Sequence, residues 1–149
     1  SDAFGVCYLA VDPYGAFIET FGHATGAAAF VTRKALQRRV LSRVDASRSL
    51  RLVDLTGNGL AVLGADGRLT TGEIAVAQRW AEALHDHSET PDGILYRARH
   101  DPARLAVAVF ERARETLSAR FLGTFASRRL GPYVAKILDH YGFGLVEGG

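Results

Sequence analysis

The sequence has no methionine and one cysteine, and nowhere does it hold the roughly 18 uninterrupted apolar residues of a membrane span. A membrane-crossing helix is therefore not expected. The lone Cys7 excludes an internal disulfide, and its place in the apolar run FGVCYLAV predicts a small buried side chain rather than a reactive thiol. A reducing cytoplasm is the expected compartment. Excess charge is also missing: 18 Lys and Arg against 16 Asp and Glu leave a formal +2, too little to point to nucleic acid.

Several chemical signatures are absent too. There is no GxSxG, and Cys7 has no local His signature, so hydrolase-type nucleophilic catalysis has no support. His85 and His87, two apart, would face different sides of a helix, and neither HExxH nor a third local ligand joins them, so no metal site is expected. DLTGNGLAVLG offers Gly57, Gly59 and Gly64, but a dinucleotide loop wants glycine where Val62 stands, and a plain turn is the better reading.

What is present is ordinary globular composition, 48% hydrophobic and 23% charged over 149 residues, enough for one domain with a covered core. FGVCYLAV reads as a strand, DPYG as a turn that can also start a helix, and AFIETFGH as a short helix ending near Gly22. RKALQRRVLSRV reads as a basic helix with Leu36, Val40 and Val44 as its apolar stripe. LRLVDL, PDGILYRAR, LAVAVF, TLSARFLGTF and FGLVE read as strands or turns leading into them. TTGEIAVAQRWAEALHDH reads as a helix with Thr70 and Glu73 as its capping box and Gln78 on the face of Ile74. RRLGPYVAKILDHYG is a further helix, with Tyr133, Ile137 and Tyr141 on one side and Gly142 at its end. Strands and helices mix without regular βαβ alternation, so the fold class is α+β, a mixed sheet with surrounding helices.

Glu19 stands out. Ala16, Phe17, Ile18 and Phe21 surround it, which puts a carboxylate at the edge of an apolar region, where it can stabilise a cation developing during bond cleavage. An exposed glutamate on a helix is the plain alternative.

Taken together, YLAVDPYGAFIET, DLTG with RLTTGEIAVAQRWA, and DGILYRARHDP with AVAVF resemble the RES-domain family, named for an arginine, a glutamate and a serine. The resemblance spans nearly the whole chain. It implies an ADP-ribosyltransferase-like fold over residues 1–149 as a single domain, with an N-terminal segment upstream of Ser1. It also implies breakdown of NAD⁺ by phosphorolysis or hydrolysis of the nicotinamide glycosidic bond, with inorganic phosphate as a co-substrate in the first case and no further cofactor. The family's tyrosine and glutamate fall on Tyr8 and Glu19, and the glutamine of its later helix on Gln78.

On that resemblance Glu19 is the electrostatic catalyst. Tyr8 contacts the nicotinamide or its ribose, and Thr71, Gln78 and Arg99 line the NAD⁺ site. The family's arginine precedes the tyrosine strand, whereas no Arg stands among the seven residues before Tyr8, so Arg97 or Arg99 is the candidate for phosphate. Alanine, as Ala98 or Ala75, stands where the serine is expected. These departures keep open a weakened or inactive member that acts as an NAD or ADP-ribose-binding or protein-interaction module. The resemblance further implies a toxin paired with a protein antitoxin. Self-association stays open, because no interface can be read from the sequence.

Overall fold

A computed structural model of the chain describes residues 5–22, 29–57, 82–84 and 87–147. In chain order the elements are β1 (Val6–Ala10), α1 (Pro13–Phe21), β2 (Phe30–Thr32), α2 (Arg33–Gln37), β3 (Val40–Ala46) and β4 (Leu52–Asp54). They continue with β5 (Gly93–Arg97), β6 (Leu105–Phe110), a 3₁₀ segment (Glu111–Thr116), β7 (Leu117–Thr124), α3 (Gly131–Tyr141) and β8 (Gly144–Val146). The largest sheet runs β1-β6-β5-β4, antiparallel across β1/β6 and β6/β5 and parallel across β5/β4. It is a mixed sheet accompanied by helices, the α+β class expected from the sequence. Among the described residues no helix is long and apolar enough to cross a membrane. Contacts group the chain into two compact units, residues 1–19 with 46–117 and residues 20–45 with 118–149.

The first unit is built on the four-stranded sheet. Tyr8 pairs with Ala108, which pairs in turn with Ile94, and Ile94 with Val53. Directly opposed residues share a face, so Val6, Tyr8, Ala10, Ala106, Ala108, Phe110, Ile94, Tyr96 and Val53 all lie on one side of the sheet. That side is the core. Leu55, Leu84, Ile94, Ala108 and Phe110 form its buried cluster, with Val6, Val53 and Tyr96 packed against it. Full burial of each large side chain contributes on the order of 1.5 to 3 kcal/mol.

DPYG starts α1 as its residue types suggest. Asp12 Oδ1 accepts a hydrogen bond from the N–H of Gly15 at 2.9 Å, and Pro13, which lacks an N–H, takes the first helical position. Gly15 then lets the helix close on the sheet, since a Cβ there would sit 3.3 Å from Ala10 Cβ. Phe17 and Ile18 are buried. At the other end of the sheet Asp92, 5% exposed, accepts both ends of the Arg48 guanidinium at 2.8 and 2.9 Å and the N–H of Arg51 at 2.8 Å. This clamp ties the approach to β4 to the start of β5.

In the second unit β2 pairs with β8 in parallel, and β3 pairs with β7. The basic helix expected across Arg33 to Arg43 is corrected here. Thr32 Oγ1 caps α2 by accepting from the N–H of Ala35, but the helix stops at Gln37 and β3 starts at Val40. Val40 and Val44 fit the four-residue helical spacing and also prefer strands, and pairing with β7 decides between the two. In α3 Gly142 adopts φ 65°, and Phe143 donates to the carbonyl of Leu138 at 2.8 Å, a left-handed cap of the predicted kind. Its buried residues are Val134, Ile137 and Leu138; of the side predicted for Tyr133, Ile137 and Tyr141, Ile137 is covered and Tyr133 is exposed.

The buried Cys7 is also corrected, because strand alternation turns it away from the core face that Val6 and Tyr8 share, and the thiol is exposed.

Candidate functional site

The strand-turn-helix motif brings Tyr8 and Glu19 into the same unit, and one turn of α1 does most of the placing. Gly15 faces the sheet at Ala10, and Glu19, four residues on, lies on that same side of the helix. Its carboxylate is part-buried, and Oε1 accepts a hydrogen bond from the backbone N–H of His100 at 2.9 Å. The second oxygen, Oε2, has no hydrogen-bond partner among the described residues. The plain alternative of a fully solvated glutamate is therefore not what is found. The His100 amide thus fixes one side of the carboxylate.

The His100 turn is itself anchored. Arg104 donates to Asp12 Oδ2 at 3.3 Å, pairs with Asp101 at 3.6 Å, and lies over the Tyr14 ring at 4.6 Å. The N-terminus of α1 and the turn whose amide holds Glu19 are thus joined through one guanidinium.

Tyr8 is 40% exposed on β1, on the core face of the sheet at its outer strand. Sequence reasoning missed the tyrosine beside it. Tyr96 pairs with Ala106, one two-residue step from the Ala108 opposite Tyr8, so the two tyrosines flank β6 diagonally on one face. On β6, Ala106 and Ala108 stand between them. Burial, followed by the neighbouring Tyr8 and Glu19, pushes the Tyr96 phenol up to about 12. It stays protonated at physiological pH. The alternation of GILYR against LAVAVF was the signal that could have placed it.

The other segments that carry the resemblance are stitched together nearby in sequence terms. Asp54 accepts from the Thr56 hydroxyl at 2.6 Å and its N–H at 2.8 Å, which holds the Asp54 carboxyl below its usual range. Arg97 donates to the carbonyls of Thr56 at 3.3 Å and Pro102 at 2.9 Å. Arg97 thus serves the backbone, and of the two arginines considered for phosphate it is Arg99 that is exposed. Ala98 is buried at the end of β5. Thr71, Gln78 and Ala75 lie outside the described residues. Among the described residues no three His, Cys, Asp or Glu side chains gather as metal ligands.

Comparison with known proteins agrees with the segments read from the sequence. The profile of the RES domain family matches residues 1–126. The protein named Probable toxin y4kH, from Sinorhizobium fredii (strain NBRC 101917 / NGR234), is 30% identical over 116 residues, covering 74% of this chain and 86% of that protein. No solved structure matches.

Proposed function

The chain belongs to the RES domain family, and from that premise we propose that it is an NAD⁺-consuming enzyme that breaks the bond between nicotinamide and ribose, and that it serves as the toxin of a toxin–antitoxin pair. The similarity to a probable toxin supports the toxin reading. The observation that carries the chemistry is Glu19, fixed through Oε1 by the His100 amide, with Oε2 unbonded among the described residues and a tyrosine on the strand at either side of β6.

Heterolysis of the C1′–N bond leaves its electron pair on the nicotinamide nitrogen, which becomes neutral, and positive charge spreads over ribose C1′ and the ring oxygen. A carboxylate held beside that carbon stabilises the cation more than the ground state, which is what lowers a barrier. Water or inorganic phosphate then attacks C1′, and the proton of the attacking oxygen passes to solvent, giving ADP-ribose or its 1-phosphate. Tyr8 packs against the nicotinamide or its ribose, Thr71 and Gln78 line the same site, and Arg99 is the arginine offered to phosphate. An ADP-ribosyltransferase-like arrangement is part of this reading, and the inhibitor would be a protein that blocks the NAD⁺ cleft.

Incubation of the purified chain with NAD⁺, with and without phosphate, and separation of the products tests the proposal. Free nicotinamide is expected, accompanied by ADP-ribose 1-phosphate only when phosphate is present if the reaction is phosphorolytic. Tight binding of NAD⁺ without any nicotinamide would replace it with a non-catalytic binding module.

A further inference from the structure

Tyr96 is half-buried, packed against the core cluster of Leu55, Leu84, Ile94, Ala108 and Phe110. A phenylalanine would satisfy that packing. Strand register sets Tyr96 in one row with Ala106 and Ala10, the alanine that α1 meets at Gly15 one turn before Glu19, and among the described residues the Tyr96 hydroxyl makes no hydrogen bond. Tyr8 and Glu19 both oppose its ionisation. The small side chains of Ala106 and Ala108 are what let rings from β1 and β5 reach over the strand between them. A protonated phenol is a donor, and the Glu19 carboxylate is an acceptor. A donor and an acceptor on one face of the sheet complement a hydroxyl, which both accepts and donates.

We propose that Tyr96 is a substrate-binding residue whose hydroxyl donates a hydrogen bond to a hydroxyl of the nicotinamide ribose while that same hydroxyl donates to Glu19. The proposal rests on the NAD⁺ reading above and deepens it by assigning a sugar contact to a residue outside the tyrosine–glutamate motif. It makes Tyr96 a residue of ground-state affinity rather than of the bond-breaking step, since the ribose hydroxyl is present before and after cleavage.

The test is Tyr96→Phe in the full chain, which keeps the ring and its packing and removes one oxygen. The KM for NAD⁺ and the Kd for ADP-ribose, measured by calorimetry, are each expected to rise about three- to tenfold, the effect of one neutral hydrogen bond, with kcat changed less than about threefold. Inhibition by free nicotinamide, which has no ribose, should be unaltered. Unchanged KM and Kd would overturn the proposal and return Tyr96 to a packing role while nicotinamide release by the unaltered protein still stood. Equal weakening of nicotinamide inhibition would also overturn it, by moving the contact to the base. If the unaltered protein neither released nicotinamide nor bound ADP-ribose, the parent reading would fall and this one with it.

Discussion

The carboxylate of Glu19 is held by the backbone N–H of His100 at 2.9 Å, across 81 residues of sequence. The donor is main chain, so no substitution of His100 other than proline removes it. This hydrogen bond couples the helix that follows β1 to the turn that follows β5, and it gives the glutamate a fixed direction, with its second oxygen unbonded among the described residues. Catalysis by electrostatic stabilisation needs that kind of preorganisation, since a carboxylate free to rotate would have to be ordered at the moment of reaction.

Arg104 is the brace behind that geometry. Arg104→Ala removes the contacts to Asp12, Asp101 and the Tyr14 ring together. Loss of about 1 to 2 kcal/mol in urea denaturation is expected, with a several-fold fall in kcat as Glu19 loses its fixed partner. An unchanged kcat in the folded variant would separate the brace from the site.

Asp92 sets the acid limit of the fold. Its carboxyl is lowered from 3.8 to about 2, chiefly by the hydrogen bonds from Arg48. The folded value is the lower one, so the unfolded chain takes up the proton more readily as pH falls. The contribution is therefore complete above about pH 4 and is lost between about pH 4 and pH 2. Urea midpoints across that range should fall more steeply for the unaltered protein than for Asp92→Asn, which should already be less stable at pH 7 by about 2 kcal/mol.

Gly93 has no room for a side chain. A Cβ there would lie 2.2 Å from the carbonyl oxygen of Ala108 in the neighbouring strand. Gly93→Ala must push β5 from β6, and a loss above about 3 kcal/mol, or no folded protein, is expected from its thermal melt.

Cys7 should react in the native state. It is exposed, beside an open cavity of about 240 Å³ that Val6, Val109, Phe110 and Leu117 help to line. A thiol reagent should modify one equivalent per chain without denaturant. Reaction only after unfolding would contradict the exposed placement.

Local chemistry made much of this legible from residues. Asp12, Pro13 and Gly15 mark the start of α1, Gly142 ends α3, and the alternation of LAVAVF made β6 plain. The basic stretch misled because Leu36, Val40 and Val44 satisfy a helical repeat while two of the three are β-branched, and only pairing with β7 breaks the tie. Cys7 misled because an apolar run does not say which of two faces is covered. That Tyr8 stands on a strand and Glu19 on the helix after it could be read because a single turn joins the two elements. His100 and Tyr96 could not, because their proximity to Glu19 is a product of the sheet order, in which β1 and β5 flank β6. Thr71 and Gln78, read from the helix that follows DLTG, lie outside the described residues and stand as proposals.

Nicotinamide release from NAD⁺ by the unaltered chain and by Glu19→Gln is the most direct test of the central claim. The amide oxygen of glutamine can still accept from the His100 N–H, so the variant should melt within a few degrees of the unaltered protein while losing the charge. We predict measurable release by the unaltered chain and a fall in kcat of about 10² to 10³ in the variant, the scale of removing one group that stabilises developing charge. Undiminished release by Glu19→Gln would contradict the role assigned to the carboxylate.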